Sequence, residues 1–441
     1  MSSGSDTALQ PRGRRRSGAR RRGLRTGLIA SATVILLAGG YTAACALTPL
    51  PDPQLQLATS AEADPANLAA AAVADELAER AQSAIDNQRG PAAIGWAGSE
   101  EVWSNDDTPR PIASISKLVT VLVGLEREPL AAGEPGPVHV WTAADAARTR
   151  GYQALDGIAF PIPVGTEVTT RQMLTLALLP SANDFMAAYA ADTIGEGAEF
   201  SRAVSDWAER HGVTSLSLAE PTGMDEDNVA AAADVVRIAK LALAEPVIAE
   251  IVRMPSAELP WGIGEVTNTN PLLTKLPGVI GLKTGTSGAA GSNLVAAQEA
   301  EAGEREVVRV AAVLGRDSGP QRAHDTSTLL TGMGDATRQV QLVHPEEELG
   351  TATLIDGTTV PLIADGSAAT VLVAGEHAER EVRLDAVGWG PARQVAGSII
   401  VTAPEGEHEV PVVTAEPLTD PDLWWRVTHP ALVFGWAEPA T

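Results

Sequence analysis

Two serines and one lysine stand just ahead of an apolar run in the segment PIASISKLVTVLVGLE, residues 111–126. Ser114 and Lys117 are three residues apart, which places both side chains on one face of a helix, whereas Ser116 points elsewhere. A lysine amine can lose its proton near neutral pH when it is buried or lies beside another cation, and a guanidinium cannot. We therefore expect Lys117 to be the base that activates Ser114 as a nucleophile. Pro111 is expected to open the helix, with Ser114 near the positive end of its dipole.

Two further short patterns follow downstream of Ser114 and Lys117. The tripeptide SAN, residues 181–183, lies between two helical runs, and KTGT, residues 283–286, ends an apolar run typical of a strand. Each pattern is weak by itself, because SAN is more often a loop with a helix cap and KTG more often a turn. Lysine is scarce here, with four in the chain: Lys117, Lys240, Lys275 and Lys283. The combination with Ser-x-x-Lys is a strong signature.

On these motifs, residues about 90–335 resemble the D-alanyl-D-alanine carboxypeptidase family of penicillin-binding proteins. The stretches that carry the resemblance are RPIASISKLVT, VGTEVTTRQMLTLALLPSAND, EPTGMDEDN and GLKTGTSGAAGSNLVAA. Two positions depart modestly from the family pattern: Ala182 occupies a variable position, and Thr286 stands where some members carry a histidine. The resemblance implies a serine-type D-Ala-D-Ala carboxypeptidase without a cofactor, acting on peptidoglycan stem peptides that end in D-Ala-D-Ala and inhibited covalently by β-lactams.

The resemblance also implies a role for each catalytic residue. Ser114 would attack the carbonyl between the two D-alanines and form an acyl-enzyme, while Lys117, kept neutral by burial and by Lys283, would take the proton. Ser181 would relay a proton to the leaving amine. The backbone N–H groups of Ser114 and Thr286 would form the oxyanion hole.

The remaining motif residues are implied to bind substrate. Asn183 would offer its amide to the substrate backbone and to Lys117. Lys283 would stay charged and, with Thr284 and Thr286, would donate to the terminal carboxylate. Gly285 would let the substrate backbone lie against the strand.

Four alternative functions draw on the same or overlapping residues. The first, transpeptidase or endopeptidase activity, would use the same motif residues and stays open. A serine β-lactamase would need an added carboxylate that activates water, for which Glu220 is the candidate, although its segment EPTGMDEDN better resembles the peptidase family. A catalytically inert wall-binding scaffold is disfavoured by the intact motif residues. The segment GTSGA, residues 285–289, nearly matches a nucleophile elbow but lacks its last glycine, which disfavours a Ser-His-Asp hydrolase. The seven histidines show no ligand spacing, so no metal is expected.

Charge and hydrophobicity indicate export from the cytoplasm. The net charge of the 441 residues is −24 although residues 1–45 hold eight arginines, so the body of the chain is acidic and should not bind nucleic acid. Residues 27–47 carry no charge and follow this basic flank, as in a signal or membrane anchor. Three fates stay open: an uncleaved span, cleavage near Ala44-Cys45-Ala46, or lipidation of Cys45. All of them place the protein in the cell envelope, at the outer face of the cytoplasmic membrane or secreted.

The pattern of elements predicts an α/β (α+β) domain of the serine β-lactamase and penicillin-binding-protein type, with an antiparallel sheet flanked by helices, followed by a small β-rich domain. Pro111 divides a predicted β-hairpin from a helical middle region. A set of strands follows that middle region. The aromatic tail is expected to dock onto the protein itself, with insertion into a membrane surface as the alternative. The predicted regions are a basic cytoplasmic segment (1–26), a signal or anchor (27–47), a tether with an alanine-rich helix (48–88), the catalytic domain (89–338), the β-rich domain (339–418) and the tail (419–441).

Overall fold

The computed structural model describes residues 18–60 and 63–437, so most of the predicted basic segment and the last residues of the tail lie outside the described residues. Helix α1 is long, and one stretch of it, residues 29–47, is long and apolar enough to cross a membrane. The first elements are α1 (Gly18–Leu47), β1 (Gln54–Leu57) and α2 (Pro65–Asp86).

The catalytic region combines helices with a five-stranded sheet. Its first half contains β2 (Ala92–Trp96), β3 (Trp103–Ser104), β4 (Arg110–Pro111), a 3-10 turn (Ala113–Ile115), α3 (Ser116–Arg127), β5 (Val138–Val140), α4 (Ala143–Ala154), β6 (Glu167–Thr169), α5 (Thr170–Leu178), α6 (Asn183–Thr193) and α7 (Ala198–Arg210). Its second half contains β7 (Val229–Ala230), α8 (Ala232–Ala244), α9 (Pro246–Val252), β8 (Ser256–Leu259), β9 (Gly264–Thr267), a 3-10 turn (Pro271–Thr274), β10 (Val279–Ser287), β11 (Gly291–Ala302), β12 (Arg305–Arg316), α10 (Gly319–Gly332) and a 3-10 turn (Met333–Asp335).

The five strands lie in the order β10-β11-β12-β2-β3, and every neighbouring pair is antiparallel. This confirms the predicted hairpin of β2 and β3, and it joins strands that are far apart in sequence, since β12 pairs with β2. Alternate residues point to opposite faces of the sheet. Ala93 and Ala312 belong to the core beneath the helices, whereas Ile94 and Ala311 belong to a second core on the other face. Both faces of the sheet are therefore covered.

Helix α3 lies at the centre of the helical core. All ten residues from Ser116 to Leu125 are buried. A helix that is buried all round needs apolar residues on every side, which explains the unbroken run that follows Lys117. The prediction that Pro111 opens this helix is wrong. Pro111 lies in β4, pairs with Val229 and accepts a hydrogen bond from Asn293 Nδ2 through its carbonyl (3.0 Å), so the chain is extended there and the helical turn begins at Ala113.

The chain after the catalytic region is rich in strands. A six-stranded antiparallel sheet has the order β1-β14-β15-β19-β18-β17, and β13 pairs with β16. Residues 54–57 of the segment predicted as a tether form its edge strand β1, so this stretch is bound to the β-rich region. The elements are β13 (Thr337–Val343), β14 (Glu348–Thr353), β15 (Thr359–Ala364), β16 (Ala368–Val373), β17 (Glu379–Leu384), β18 (Val395–Ala403), β19 (Gly406–Thr414), α11 (Leu423–Thr428) and α12 (Pro430–Val433).

Arg380 connects the start of α2 to the β-rich region. Its guanidinium is buried, and it pairs with Asp64 (2.9 Å) and Glu347 (2.7 Å) while donating to the carbonyl of Leu342 (2.6 Å). Removal of one member of a buried ion pair leaves an uncompensated charge. We expect Arg380→Ala to lower the free energy of unfolding by about 3–5 kcal/mol. Unfolding of the detergent-solubilised chain in guanidinium chloride provides the measurement.

The matched control for this prediction is Arg393→Ala in the same region. Arg393 is exposed and pairs with Glu346 and Asp365 at the surface, where ion pairs contribute little. Its unfolding midpoint should stay close to that of the wild type. An Arg380→Ala protein as stable as the Arg393→Ala protein would contradict the structural role assigned to Arg380.

Candidate active site

The structure separates the roles of the two serines. Ser114 lies on the 3-10 turn that leads into α3 and is partly exposed. Ser116 is fully buried, donates to the carbonyl of Ala113 (2.8 Å) and accepts from Asn228 Nδ2 (3.2 Å). Its hydroxyl is occupied by structural hydrogen bonds, so only Ser114 is available to a ligand.

Lys117 is fully buried and lies against Ser114. Its Nζ donates to Ser114 Oγ (2.9 Å), Asn183 Oδ1 (2.6 Å) and the carbonyl oxygen of Thr222 (2.7 Å). Burial lowers the pKa of Lys117 to about 7, against the opposing effect of the Glu220 and Asp184 carboxylates. A neutral amine keeps two N–H donors for Asn183 and Thr222, and its lone pair then faces the hydroxyl of Ser114. This is the arrangement of a general base poised near neutral pH.

The SAN segment lies at the junction of α5 and α6 and places two side chains beside this pair. Asn183 is the first residue of α6, and its N–H donates to the carbonyl of Ile158 (2.7 Å). Ser181 is buried with a φ of +73°, an uncommon conformation for a residue with a Cβ. Within the part of the chain that the structure describes, its hydroxyl has no hydrogen-bond partner. A buried hydroxyl without a partner costs free energy unless a ligand or a water satisfies it.

Lys283 brings a second buried amine to the site from strand β10. Its Nζ donates to the carbonyl of Thr284 (3.2 Å), and it forms no ion pair with any residue in the described ranges. Burial lowers its pKa well below the usual lysine value, and the positive charges of Lys117 and Arg322 lower it further. A nearby anion would raise this pKa and return the positive charge to Lys283, so the site favours an anionic ligand. Thr284 donates to Thr269 (2.6 Å), which orients its hydroxyl.

Arg322 was not predicted from the sequence. It lies in the first turns of α10, and its Nη1 donates to the carbonyl of Gly285 (3.0 Å), to Thr286 Oγ1 (2.7 Å) and to the carbonyl of Asn293 (3.1 Å). Burial lowers its pKa. Its segment GPQRAHD has no recognisable motif, and the arginine reaches the site only because α10 packs against the sheet. Arg322 adds a third cationic group beside the KTGT strand.

Two glycines allow the serine turn to fit tightly between its neighbours. A Cβ on Gly285 would lie 2.4 Å from the carbonyl oxygen of Ile112, and one on Gly223 would lie 2.0 Å from that of Ala113. Gly223 also has a φ of +87°, which favours glycine. Strand β10 and the loop containing Gly223 therefore hold the backbone at Ser114 from two sides.

The carboxylate of Glu220 organises this loop. It accepts hydrogen bonds from the N–H groups of Thr222 (2.8 Å), Gly223 (2.6 Å) and Met224 (2.8 Å), and from Asn228 Nδ2 (3.1 Å). Both carboxylate oxygens are engaged in this loop, which holds the Thr222 carbonyl in place for Lys117.

Asp184 is a buried carboxylate that the sequence did not single out. It accepts from Thr149 Oγ1 (3.0 Å) and from the N–H groups of Phe160 and Phe185 (both 3.0 Å), so it fastens α4 and the following loop to the start of α6. Burial raises its pKa to about 6, which its hydrogen bonds oppose. Its position next to Asn183 fixes the amide that contacts Lys117.

The structure therefore joins Ser114, Lys117 and Asn183 by direct hydrogen bonds. Arg322 donates hydrogen bonds to both Gly285 and Thr286, and Lys283 lies near enough to Lys117 for their charges to interact. The described residues contain no group of histidine, cysteine and acidic side chains that could hold a metal ion. Chemically, the arrangement provides a nucleophile, a base and an anion-binding cationic flank.

The position of Gly223 predicts a strong effect on the nucleophile. We expect Gly223→Ala to displace the Ser114 turn and to reduce the acylation rate by about 10²-fold, because misplacement of a reacting group by about 1 Å has this effect. Gly212→Ala is the matched control, since Gly212 has a φ of +67° but open space around its Cβ position. Stopped-flow acylation measurements on both variants provide the test, and equal rates would contradict the packing described for Gly223.

Comparisons with known proteins agree with this geometry. Residues 102–318 match the family model described as D-alanyl-D-alanine carboxypeptidase (Peptidase_S11). The chain is 31% identical over 230 residues to the D-alanyl-D-alanine carboxypeptidase DacB2 of Mycobacterium tuberculosis. This alignment covers 51% of this chain and 74% of that protein. It is 28% identical over 246 residues to a D-alanyl-D-alanine endopeptidase of Pseudomonas aeruginosa, with 55% and 74% covered.

A solved structure shows the same fold. The D-alanyl-D-alanine carboxypeptidase DacD of Francisella tularensis aligns with 77% of this chain and 96% of its own length, with a TM-score of 0.52 and 16% sequence identity. At that identity the likeness concerns the fold alone. The antiparallel sheet flanked by helices that was predicted from the motifs is thereby confirmed.

Proposed function

The chain belongs to the D-alanyl-D-alanine carboxypeptidase family and is a serine hydrolase of D-Ala-D-Ala peptides, and we propose that it removes the terminal D-alanine of peptidoglycan stem peptides through an acyl-enzyme on Ser114. The observation that carries the proposal is the buried amine of Lys117, hydrogen-bonded at once to Ser114 and to Asn183. Among the described residues of the cluster, Ser114 is the one whose hydroxyl is both partly exposed and hydrogen-bonded to a buried amine.

Acylation begins when neutral Lys117 takes the proton of Ser114 as Oγ bonds to the carbonyl carbon between the two D-alanines. The negative charge that develops on the carbonyl oxygen is stabilised by the backbone N–H groups of Ser114 and Thr286. The carbon–nitrogen bond then breaks, and Ser181 relays a proton to the departing amine. The unpartnered hydroxyl of Ser181 supports this role.

The carboxylate of the terminal D-alanine binds at the cationic flank. Lys283 is charged when the carboxylate is bound, because an adjacent anion raises the pKa that burial lowers in the empty site. Thr286, oriented by Arg322, donates a hydrogen bond to the same group, and Thr284 donates to it after its hydroxyl turns away from Thr269. Gly285 leaves room for the peptide backbone along β10. Asn183 binds the substrate backbone through its amide N–H₂, because its oxygen is taken by Lys117.

Hydrolysis of the acyl-enzyme by water completes the carboxypeptidase reaction, and a penicillin is proposed to acylate the same serine. Glu220 is engaged with the N–H groups of its own loop, which disfavours the alternative of a serine β-lactamase that uses this carboxylate to activate water. The penicillin adduct should therefore persist for minutes or longer.

The family acts on the bacterial cell wall, and the apolar N-terminal helix is compatible with a signal or a membrane anchor. We propose that the chain is exported with its basic end in the cytoplasm, and that the catalytic region faces peptidoglycan at the outer side of the cytoplasmic membrane. The strongly acidic body of the protein is consistent with a polymer substrate other than nucleic acid.

The test of the proposed function is release of free D-alanine from a peptide that ends in D-Ala-D-Ala. We expect Ser114→Ala to abolish both this release and covalent labelling by a fluorescent penicillin. The matched control is Ser116→Ala, which removes a buried structural hydroxyl and should keep both activities within about tenfold, because a hydrogen bond contributes about 1 kcal/mol. Labelling that survives Ser114→Ala but is lost in Ser116→Ala would overturn the assignment of the nucleophile.

The two lysines should respond differently to pH and to substitution. The pKa of Lys117 in the folded protein is lowered to about 7, so the amine is protonated below that pH, and acylation should fall about tenfold for each further pH unit. Lys117→Arg should be as inactive as Lys117→Ala across pH 5–9, because a guanidinium cannot act as a base.

Lys283, unlike Lys117, must be positively charged to bind the carboxylate of the substrate. Lys283→Arg should keep part of the activity, whereas Lys283→Ala should lose about 10- to 100-fold, the effect of one charged hydrogen bond. Acylation rates of the four variants between pH 5 and pH 9 provide the measurement. An active Lys117→Arg protein, or a Lys283→Arg protein no better than Lys283→Ala, would show that base and anchor are assigned wrongly.

A further inference from the structure

The two ends of the described chain meet at the last turn of α1. Arg426, on α11, is buried, and its Nη1 donates to the carbonyl oxygens of Cys45 (3.0 Å), Ala46 (3.3 Å) and Thr48 (2.8 Å). The last four carbonyl groups of a helix have no partner within the helix, and a cation there also complements the helix dipole. Arg426 therefore caps the C-terminal end of α1, while Asp420 (2.6 Å) neutralises its charge.

A second contact shows that the packing extends along the helix. The hydroxyl of Tyr41 donates to the carbonyl of Val427 (2.7 Å), one turn before Cys45, which is itself fully buried. Residues 41–48 thus form the base on which α11 rests. The prediction that the tail docks onto the protein itself is confirmed, and its docking site is α1.

The part of α1 from residue 29 to residue 40 is exposed along its whole length. Residues 29–47 have a mean hydropathy of 1.7 and are almost wholly exposed, including Ile35 (70% exposed) and Leu36 (75% exposed). Nineteen uncharged and mostly apolar residues in a helix match the thickness of a bilayer core. Because the flank that precedes them is basic, this end stays in the cytoplasm, and Leu47 and Arg426 lie at the outer surface.

Two large aromatic side chains are exposed in the segment that caps the helix. Trp424 and Trp436 are each 75% exposed, and Leu423 beside them is 48% exposed. Exposed tryptophans are costly in water but favoured at the headgroup level of a membrane, where the ring is buried and the N–H stays hydrated. Their position next to the outer end of a span-length helix identifies the lipid interface as the surface they fit.

We propose that α1 is retained in the mature protein, and that residues 419–437, here called the collar, cap its outer end through Arg426 and insert Trp424 and Trp436 into the outer headgroup layer. This rests on the export proposed above and goes beyond it. Cleavage near Ala44-Cys45-Ala46 would remove most of the carbonyl groups and the tyrosine that the collar binds. Lipidation of Cys45 requires access to a side chain that the collar buries.

The first experiment determines the fate of the helix. The full chain is expressed in a bacterium and extracted from the membrane with detergent, and the mass of the intact protein is measured by mass spectrometry. The expected mass includes α1 and an unmodified Cys45. A mature N-terminus at or after Cys45, or a diacylglycerol on Cys45, would overturn the proposal.

The second experiment measures whether the collar covers the helix end. Cys45, the only cysteine, is titrated with a water-soluble maleimide in nanodiscs. We expect slow labelling in the wild type, labelling at least tenfold faster in Arg426→Gln, and an intermediate rate in Arg426→Lys, which keeps one donor and the charge. Arg393→Gln, on the exposed face of the β-rich region, is the matched control and should label like the wild type. Equal rates in all variants would refute the capping role of Arg426.

The third experiment tests the lipid contact. Fluorescence quenching by lipids brominated near the headgroup should fall when Trp424 and Trp436 are both replaced by phenylalanine, and should not change in Trp389→Phe, a half-buried tryptophan of the β-rich region. Equal quenching in the wild type and the double variant would show that the collar faces water or another copy of the chain, which overturns the proposal. None of the three readouts depends on peptidase activity, so an inactive but anchored protein would count only against the proposed function.

Discussion

The structure is constrained most by one buried amine, that of Lys117, which needs hydrogen-bond acceptors around it. Lys117 has no access to water, so the oxygens around it must come from the protein, and they come from three places: the turn of Ser114, helix α6 through Asn183, and the loop carbonyl of Thr222. The same burial that costs solvation lowers the pKa of the amine to about 7. The lowered pKa of Lys117 therefore depends on the packing of the helical core. If the core opened, water would reach the amine, and its pKa would return to the usual lysine value, at which it is protonated.

Much of the surrounding architecture supplies those three oxygens at fixed distances. Glu220 binds the N–H groups of its own loop and so presents the Thr222 carbonyl, while Asp184 fastens the start of α6. Gly223 and Gly285 allow the loop and the strand β10 to touch the serine turn. Each of these residues acts through backbone geometry, which is why buried carboxylates and glycines accumulate around a site whose chemistry belongs to a serine and an amine.

Electrostatics give the site its preference for an anion. The protein as a whole carries a net charge of −24, yet Lys117 and Arg322 lie near enough to Lys283 to lower its pKa, and neither lysine has an ion pair among the described residues. A bound carboxylate would raise the pKa of Lys283 and restore its charge, while the acidic exterior repels polyanions. β1 pairs with β14 of the β-rich region, and α2 contacts both that region and the catalytic sheet, so the chain between α1 and the site is bound along much of its length.

The sequence by itself determined the parts that depend on residue type and local spacing. Three sequence features were sufficient to predict the fold class and to select residues that the structure brings into contact: the three-residue separation of Ser114 and Lys117, the apolar run that buries α3, and the order of the SAN and KTGT segments. Only the tertiary structure decided which partners complete them. The Thr222 carbonyl is a backbone group present in every residue, and Arg322 reaches the site across a helix–sheet contact that no local pattern encodes. Contacts between distant segments depend on how the elements pack, and that information is spread over the whole core.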